Sequence, residues 1–174
     1  MKNLRRHMYN VAVLSRKLGS RYGLAGKEMK LLEMAAGFHD VGKKYISGRI
    51  LFRKGELTPG EYEIIKMHPV IGADILRKDG FDQGVVEAVR HHHERWDGTG
   101  YPDGLKGEEI PLYSRIISIA DAYDAMVSGR PYKKDVSPLK ALNEILRCSG
   151  TQFDPELVKL FLTIQKEDEL VCSR

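Results

Sequence analysis

The sequence contains few cysteines, no long apolar run and no alternating apolar–polar segment of useful length. Its two cysteines, Cys148 and Cys172, lie far apart and belong to no paired motif, which argues against a disulfide framework or a thiolate metal site. No uncharged apolar stretch approaches the ~18–20 residues that a membrane span needs. The N-terminal segment has no small-residue cleavage site after its short apolar run. We therefore expect a cytoplasmic protein without a membrane segment.

The size and charge of the chain limit its architecture and its partners. A chain of 174 residues with 42% apolar content predicts a single domain, residues 1–174, with its own core. The net charge of +4 is too small for a protein that wraps duplex DNA, so we expect no DNA partner. A local basic cluster would suit a small polyanion, although a solvated loop surface explains any single lysine equally well. The basic residues gather at Lys43, Lys44, Arg49, Arg53 and Lys54, and again at Arg130, Lys133 and Lys134.

Helical periodicity dominates the chain and predicts an all-α, compact helical bundle of about seven helices. Thr58-Pro59-Gly60-Glu61 is a capping box with proline at the first helical position. Pro69 predicts either a kink or a new helix start. The predicted helical segments are 4–18 (ended by Gly19 or Gly23), 27–39, a segment that begins after Thr58, 82–95, 110–128, and two that begin after Ser137 and Asp154.

Histidines and aspartates occupy helical stripes that should face the core. His7, for example, continues the stripe of Val11, Leu14 and Leu18. One such histidine alone is most often a hydrogen-bonded core residue, but a buried, unpaired carboxylate costs several kcal/mol. Bound metal ions would turn all of these groups into ligands. Two ions are needed, because the set is too large for one ordinary site. The set comprises His7, His39, Asp40, His68, His92, His93 and Asp121.

Two motifs resemble a known family. His39-Asp40-Val41-Gly42-Lys43 matches the HDxGK signature of the HD phosphohydrolase superfamily. Residues 92–102, HHERWDGTGYP, match the HHExxDGxGYP signature of its HD-GYP branch. Further matches are the segments 68–72, 120–125 and 130–132, so that the resemblance extends from His7 to about Val158. It implies a metal-dependent phosphodiesterase that opens cyclic di-GMP to linear pGpG and, in some members, continues to GMP.

The resemblance also implies roles for individual residues. It makes the seven histidines and aspartates the metal ligands, with Asp40 bridging two ions, and a metal-bridging hydroxide the nucleophile. Lys43 would neutralise charge that develops on the phosphoryl oxygens. Tyr101, Arg130 and Lys133 would hold phosphate groups of the substrate. Iron or manganese suits such a set best, with nickel, cobalt or zinc as alternatives.

Some expectations depart from the family pattern or stay open. Some members place an acidic residue one turn before the first histidine and bind a third metal; here that residue is Asn3, which predicts two ions. The motif assigns no role to His91, which we expect to face solvent or to support a ligand from behind. Two alternatives to the enzyme remain, namely a cyclic di-GMP receptor or protein-docking module with little turnover, and a hydrolase for another cyclic dinucleotide or a phosphomonoester. A sensor or receiver domain upstream, or a signalling partner, is typical of the family.

Overall fold

The computed structural model describes residues 2–53, 55–128 and 136–172. These residues form nine α-helices and two 3₁₀ turns, and no strand occurs among them, which confirms the all-α prediction. The helices are α1 (Lys2–Tyr22), α2 (Gly26–Phe38), α3 (Gly48–Leu51), α4 (Pro59–Lys66), α5 (His68–Lys78), α6 (Gln83–His91), α7 (Leu112–Val127), α8 (Pro138–Arg147) and α9 (Pro155–Cys172); the 3₁₀ turns are Val41–Tyr45 and Gly107–Glu109.

The helix starts follow the local signals in the sequence. The Thr58 side chain accepts a hydrogen bond from the Glu61 backbone amide, and the Glu61 side chain accepts one from the Thr58 backbone amide, as the capping box predicts. Pro69 lies in the first turn of α5, so the chain starts a new helix there instead of kinking an old one. This restart, together with the short helix α3 inside the basic segment, raises the helix count in the described residues above the predicted seven.

Helix α6 ends earlier than its sequence predicts. The apolar period indicated a helix as far as residue 95, whereas α6 stops at His91. The cause is a long-range contact: the backbone amides of Trp96 and Asp97 donate to the carbonyls of Gln152 and Thr151. These bonds draw the chain away from the α6 axis, and His92 and His93 therefore lie in a turn.

The core of the bundle holds several helix ends close together. Helix α1 packs against α2, α7 and α9, while α6 lies against α2, α5 and α7. Fully buried side chains such as Leu32, Val89 and Ile117 fill the space between them. The C-terminal ends of α2 and α6 and the first turn of α5 converge beside the middle of α7. No helix in the described part of the chain is long and apolar enough to cross a membrane.

Candidate metal centre

Five parts of the fold supply the seven histidines and aspartates that the sequence singled out. His7 lies on α1 and Asp121 on α7, whereas His39 and Asp40 join α2 to the first 3₁₀ turn. The remaining three lie at helix ends: His68 begins α5, and His92 and His93 follow α6. The structure brings all seven together in two adjoining clusters, within each of which the potential ligand atoms lie within 4.8 Å of one another. One cluster contains Asp40, His68, His92 and His93, and the other contains His7, His39 and Asp121.

The carboxylate of Asp40 lies between the two clusters. Its Oδ1 is 3.3 Å from Nε2 of His68, which belongs to its own cluster. Its Oδ2 is 3.6 Å from Nε2 of His39, which belongs to the other cluster. Each oxygen therefore faces a different group of imidazoles, the arrangement that a carboxylate bridging two ions requires.

Backbone carbonyls fix the tautomers of three of the histidines. Nδ1 of His39, His68 and His92 lies 2.7 Å in each case from the carbonyl oxygen of the residue three positions earlier. Because a carbonyl only accepts, Nδ1 must carry the hydrogen, and in the neutral ring Nε2 then presents a lone pair. Metal-binding histidines are commonly oriented in this way. The three Nε2 atoms all point toward the centre.

Several of these polar atoms have no conventional partner within the described residues. Nε2 of His39 and Oδ1 of Asp40 are buried and accept no hydrogen bond. Nε2 of His68 lies 3.4 Å from Nε2 of His92, so two lone pairs face each other. Unmatched acceptors of this kind are costly in a protein interior unless a cation lies between them. Imidazole nitrogens with carboxylate oxygens are a donor set that divalent transition metals prefer, so the residues present fit a metal centre.

Burial and neighbouring charges keep Asp40, His92 and His93 in the protonation states that bind metals. Burial would raise the pKa of Asp40, but the electrostatic influence of His39 and of the Lys43 ammonium group holds it well below its usual value. Burial lowers the pKa of His93 to about 3 and also depresses the pKa of His92, so both rings are neutral at physiological pH. Carboxylates that are ionised and imidazoles that are neutral can ligate without first losing a proton.

His7 has a partner that the sequence analysis missed. Its Nδ1 lies 2.6 Å from Oδ2 of Asp124, and its Nε2 lies 3.0 Å from Oδ1 of Asp121. Asn10 and Ser128 donate to the other oxygen of Asp124 and hold that carboxylate in place. A signal was present, because Asp124 follows Asp121 by three residues and so shares its face of α7.

The other predicted site residues divide into those beside the centre and those outside the described residues. Nζ of Lys43 donates to Oδ2 of Asp40 over 2.7 Å and remains partly exposed. The ring of Tyr101 stacks on that of His93, with 5.0 Å between centroids and 29° between planes. Nζ of Lys66 lies 5.9 Å from the Tyr101 ring, a cation that no motif marks. Arg130 and Lys133 lie outside the described residues.

The segment after His93 folds back on itself through internal contacts. Glu94 accepts hydrogen bonds from the backbone amides of Asp103 and Gly104 over 2.7 and 3.1 Å. Gly100 passes so close that a Cβ would lie 2.4 Å from the Arg95 nitrogen, which only glycine permits. These contacts of Glu94 hold the loop in place. They keep Tyr101 beside the centre.

Two other residues of this segment lie in structural positions. Asp97 accepts from the Thr99 hydroxyl and from Arg95, within the same turn. Trp96 packs under the guanidinium of Arg115, 5.8 Å from its ring. His91 is only 5% exposed and its Nε2 lies 3.0 Å from Oε2 of Glu87, so the first of its two expected positions, facing solvent, is wrong.

Known proteins resemble this chain in sequence and in fold. A family model described as an HD domain matches residues 1–157. The chain is 43% identical over 93% of its length to a protein of Thermotoga maritima named cyclic di-GMP phosphodiesterase, of which it covers 45%. It is 37% identical over 97% of its length to a Vibrio cholerae protein named 3'3'-cGAMP-specific phosphodiesterase 2, of which it covers 32%. A structure of an HDGYP protein from Bdellovibrio bacteriovorus has a TM-score of 0.76 at 24% identity, over 93% of this chain and 52% of that one.

The helical fold and the histidine–aspartate centre thus define the class of protein, and the chain belongs to the HD domain family. Within that family, the segment 92–102, whose tyrosine stacks on His93, matches the HD-GYP signature. The chain spans less than half the length of the two curated relatives.

Proposed function

We propose that this domain is a phosphodiesterase with two divalent metal ions that hydrolyses cyclic di-GMP to linear pGpG. The observation that carries the proposal is the convergence of three Nε2 lone pairs, oriented by backbone carbonyls, on the buried carboxylate of Asp40. The relative from Thermotoga maritima, named for this activity, supports the choice of reaction. We further propose that the domain acts in the cytoplasm and that an upstream sensor or receiver domain regulates it.

The proposed ligands are the seven clustered residues, with Asp40 shared between two ions. The two oxygens of Asp40 support that sharing, because each faces the histidine of a different cluster. Iron or manganese is the metal we propose, since an imidazole-rich set with a bridging carboxylate suits both. When bound, such ions lower the pKa of a water molecule, so that a hydroxide nucleophile is available near neutral pH. Because Asn3 replaces an acidic residue, we propose that this centre holds two ions, not three.

The residues around the centre prepare a phosphodiester for attack. Lys43 is tied to Asp40 yet remains partly exposed, so its ammonium group lies where a phosphoryl oxygen would gain negative charge. Tyr101 covers His93 and brings its phenol to the edge of the centre. Burial raises the pKa of the Tyr101 hydroxyl, which therefore stays protonated and can donate to a phosphate oxygen. We propose that Arg130 and Lys133 bind the second phosphate of the cyclic dinucleotide.

One assay tests the reaction. Protein reconstituted without oxygen in Fe(II) or Mn(II) is given cyclic di-GMP, and chromatography resolves pGpG, GMP and substrate. Asp40→Ala should lose both ions and all turnover, because it removes the shared carboxylate. Asp74→Ala is the matched control, since Asp74 is an exposed aspartate that pairs only with Arg77 in the described contacts. Intact cyclic di-GMP with both ions bound would refute the enzyme and favour a receptor.

A second candidate substrate, 3'3'-cGAMP, has support from relatives named for it. The Vibrio cholerae protein named as specific for 3'3'-cGAMP matches nearly the whole chain at 37% identity. Competition between cyclic di-GMP and 3'3'-cGAMP at equal concentration separates the two. Faster cleavage of 3'3'-cGAMP would keep the metal chemistry and overturn the proposed substrate. Faster cleavage of a phosphomonoester added to the same competition would overturn both cyclic dinucleotides as the substrate.

A further inference from the structure

A third group of potential ligands lies at the C-terminal end of α6, apart from the seven residues of the candidate metal centre. His91, Glu94 and Asp103 bring one ligand atom each within 4.8 Å of one another. His91 and Glu94 are 5% and 3% exposed, while Asp103 is more open. Neither the HD motif nor the GYP motif assigns a role to His91. This trio is therefore a feature of the chain that the proposed reaction does not explain.

Glu87 determines which nitrogen of His91 carries the hydrogen. Oε2 of Glu87 lies 3.0 Å from Nε2 of His91, one helical turn away. Because an ionised carboxylate only accepts, Nε2 donates, and Nδ1 of the neutral ring is left with a lone pair. Nδ1 is buried and has no hydrogen-bond partner among the described residues.

This lone pair faces two carboxylates. Nδ1 of His91 lies 3.5 Å from Oδ2 of Asp103 and 3.7 Å from Oε1 of Glu94. Three acceptors in contact repel one another unless a cation lies between them. Ligands of a tetrahedral ion with bonds of about 2.0–2.1 Å lie about 3.3–3.4 Å apart, so the observed separations need to shrink by only a few tenths of an ångström. Oε2 of Glu94 is likewise buried without a partner in the described part of the chain.

The charges around the trio favour a divalent cation. Arg90 is the cation paired with Asp103, through two hydrogen bonds of 2.8 Å. Three carboxylates, those of Glu87, Glu94 and Asp103, lie beside His91, and in the described contacts one guanidinium balances them. Carboxylates that ligate metals are normally also hydrogen-bonded from outside, so Arg90 can hold Asp103 while Asp103 binds an ion. The backbone amides that donate to Glu94 hold its carboxylate in the same way.

We propose that His91 Nδ1, Glu94 and Asp103 form a separate binding site for one divalent transition-metal ion, with Glu87 orienting the His91 ring. One imidazole and two carboxylates suit Zn(II) or Mn(II). An ion bound there joins the end of α6 to Asp103, two residues after the tyrosine that stacks on His93. The site stands on its own contacts, whichever reaction the domain performs.

Counting zinc ions tests the proposal without reference to activity. Metal-free protein is equilibrated with micromolar free Zn(II), and native mass spectrometry counts the bound ions. We expect three ions in the parent chain and two in His91→Gln and in Asp103→Asn. The matched control is Asp74→Asn, because Asp74, like Asp103, is an exposed aspartate that pairs with an arginine, in this case Arg77. It should retain three ions. Anomalous scattering at the zinc edge should show the additional ion between the three side chains.

Other counts would overturn the proposal. Equal counts of two in parent and variants would mean that a proton on His91, not a metal, balances the carboxylates. A third ion that persists in both variants would lie elsewhere, and would contradict the two-ion centre if it lay near Asn3. Because Asp103 is partly exposed, Asp103→Asn should fold normally, and its two remaining ions report an intact centre. The loss of a direct ligand should weaken zinc binding at least about 100-fold, beyond what outer-partner changes cause.

Discussion

The contact between the first 3₁₀ turn and α5 is so close at Gly42 that an added Cβ would meet a nearer atom there than at any other described glycine. A Cβ on Gly42 would lie 2.0 Å from the carbonyl oxygen of His68 and 2.8 Å from the backbone nitrogen of Gly72. Both neighbours are backbone atoms of α5, so no side-chain rotation relieves the clash. In Gly42→Ala the turn and α5 must separate by about 1 Å, a shift of the size that overpacking imposes on a dense core.

The cost follows from that displacement. Overpacking typically costs 1–3 kcal/mol, and a clash against backbone belongs at the upper end, so we expect a loss of about 3 kcal/mol. For a chain of this size that corresponds to a melting temperature lower by about 6–12 °C. The same shift moves Asp40 away from His68, whose Nε2 is now 3.3 Å from Oδ1. We therefore also expect weaker metal binding.

Differential scanning calorimetry of the metal-free protein and a metal count of the reconstituted protein measure the two effects. Gly37→Ala is the matched control, because Gly37 lies within α2 and a Cβ at that position would meet no atom within 4 Å. That change should stabilise the protein by about 0.5–1 kcal/mol through helix propensity. If Gly42→Ala melted with the parent and held both ions, the argument from close backbone contact would be wrong.

Three further predictions concern residues around the centre. Lys43→Ala should retain both ions but lower turnover by about 10²–10³-fold, and unchanged turnover would remove the charge-stabilising role of Lys43. Asp124→Asn should weaken metal affinity by about 10–100-fold in a competition with a chelator, because it loosens the His7 ring; equal affinity would contradict that. Burial lowers the pKa of His7, but the hydrogen bonds to Asp121 and Asp124 outweigh it and raise that pKa from 6.5 to about 9. Protonated His7 should therefore increase the unfolding free energy of the metal-free protein below pH 6.5, and this contribution should be lost as the pH rises through about 9. Urea titrations at several pH values measure the change. An unfolding free energy that rises across this window would count against the assignment.

Local signals in the sequence were sufficient for most of the fold. The capping box at Thr58 and the prolines at 69 and 138 mark real helix starts, because these residues act on atoms within one turn. The end of α6 could not be predicted, since it depends on bonds from residues 96–97 to carbonyls at 151–152. Such a contact depends on the assembled bundle and leaves no trace in the period of α6 itself.

The candidate centre was predictable as a set but not in its detail. Helical stripes and two motifs indicated the seven clustered residues, because the spacing along each helix determines which side chains face the core. The division into two clusters, with one oxygen of Asp40 toward each, depends on how the helix ends meet. The burial of His91 also escaped prediction, because the turn that covers it is held by Glu94 through backbone amides nine and ten residues later.

The contacts that hold the rings of the four histidines around Asp40 differ in strength. His39, His68 and His92 are each tied through Nδ1 to a carbonyl three residues earlier, in the helix that precedes them. For His93, the described contacts of the ring are with other aromatic rings, among them Tyr101 from the loop. Three of the imidazole rings are therefore held by backbone hydrogen bonds, whereas the described contacts of the fourth allow its ring to move with its aromatic neighbours. Whatever shifts Tyr101, a substrate included, also shifts the imidazole behind it, so that contact with substrate and the geometry around the ions are mechanically linked.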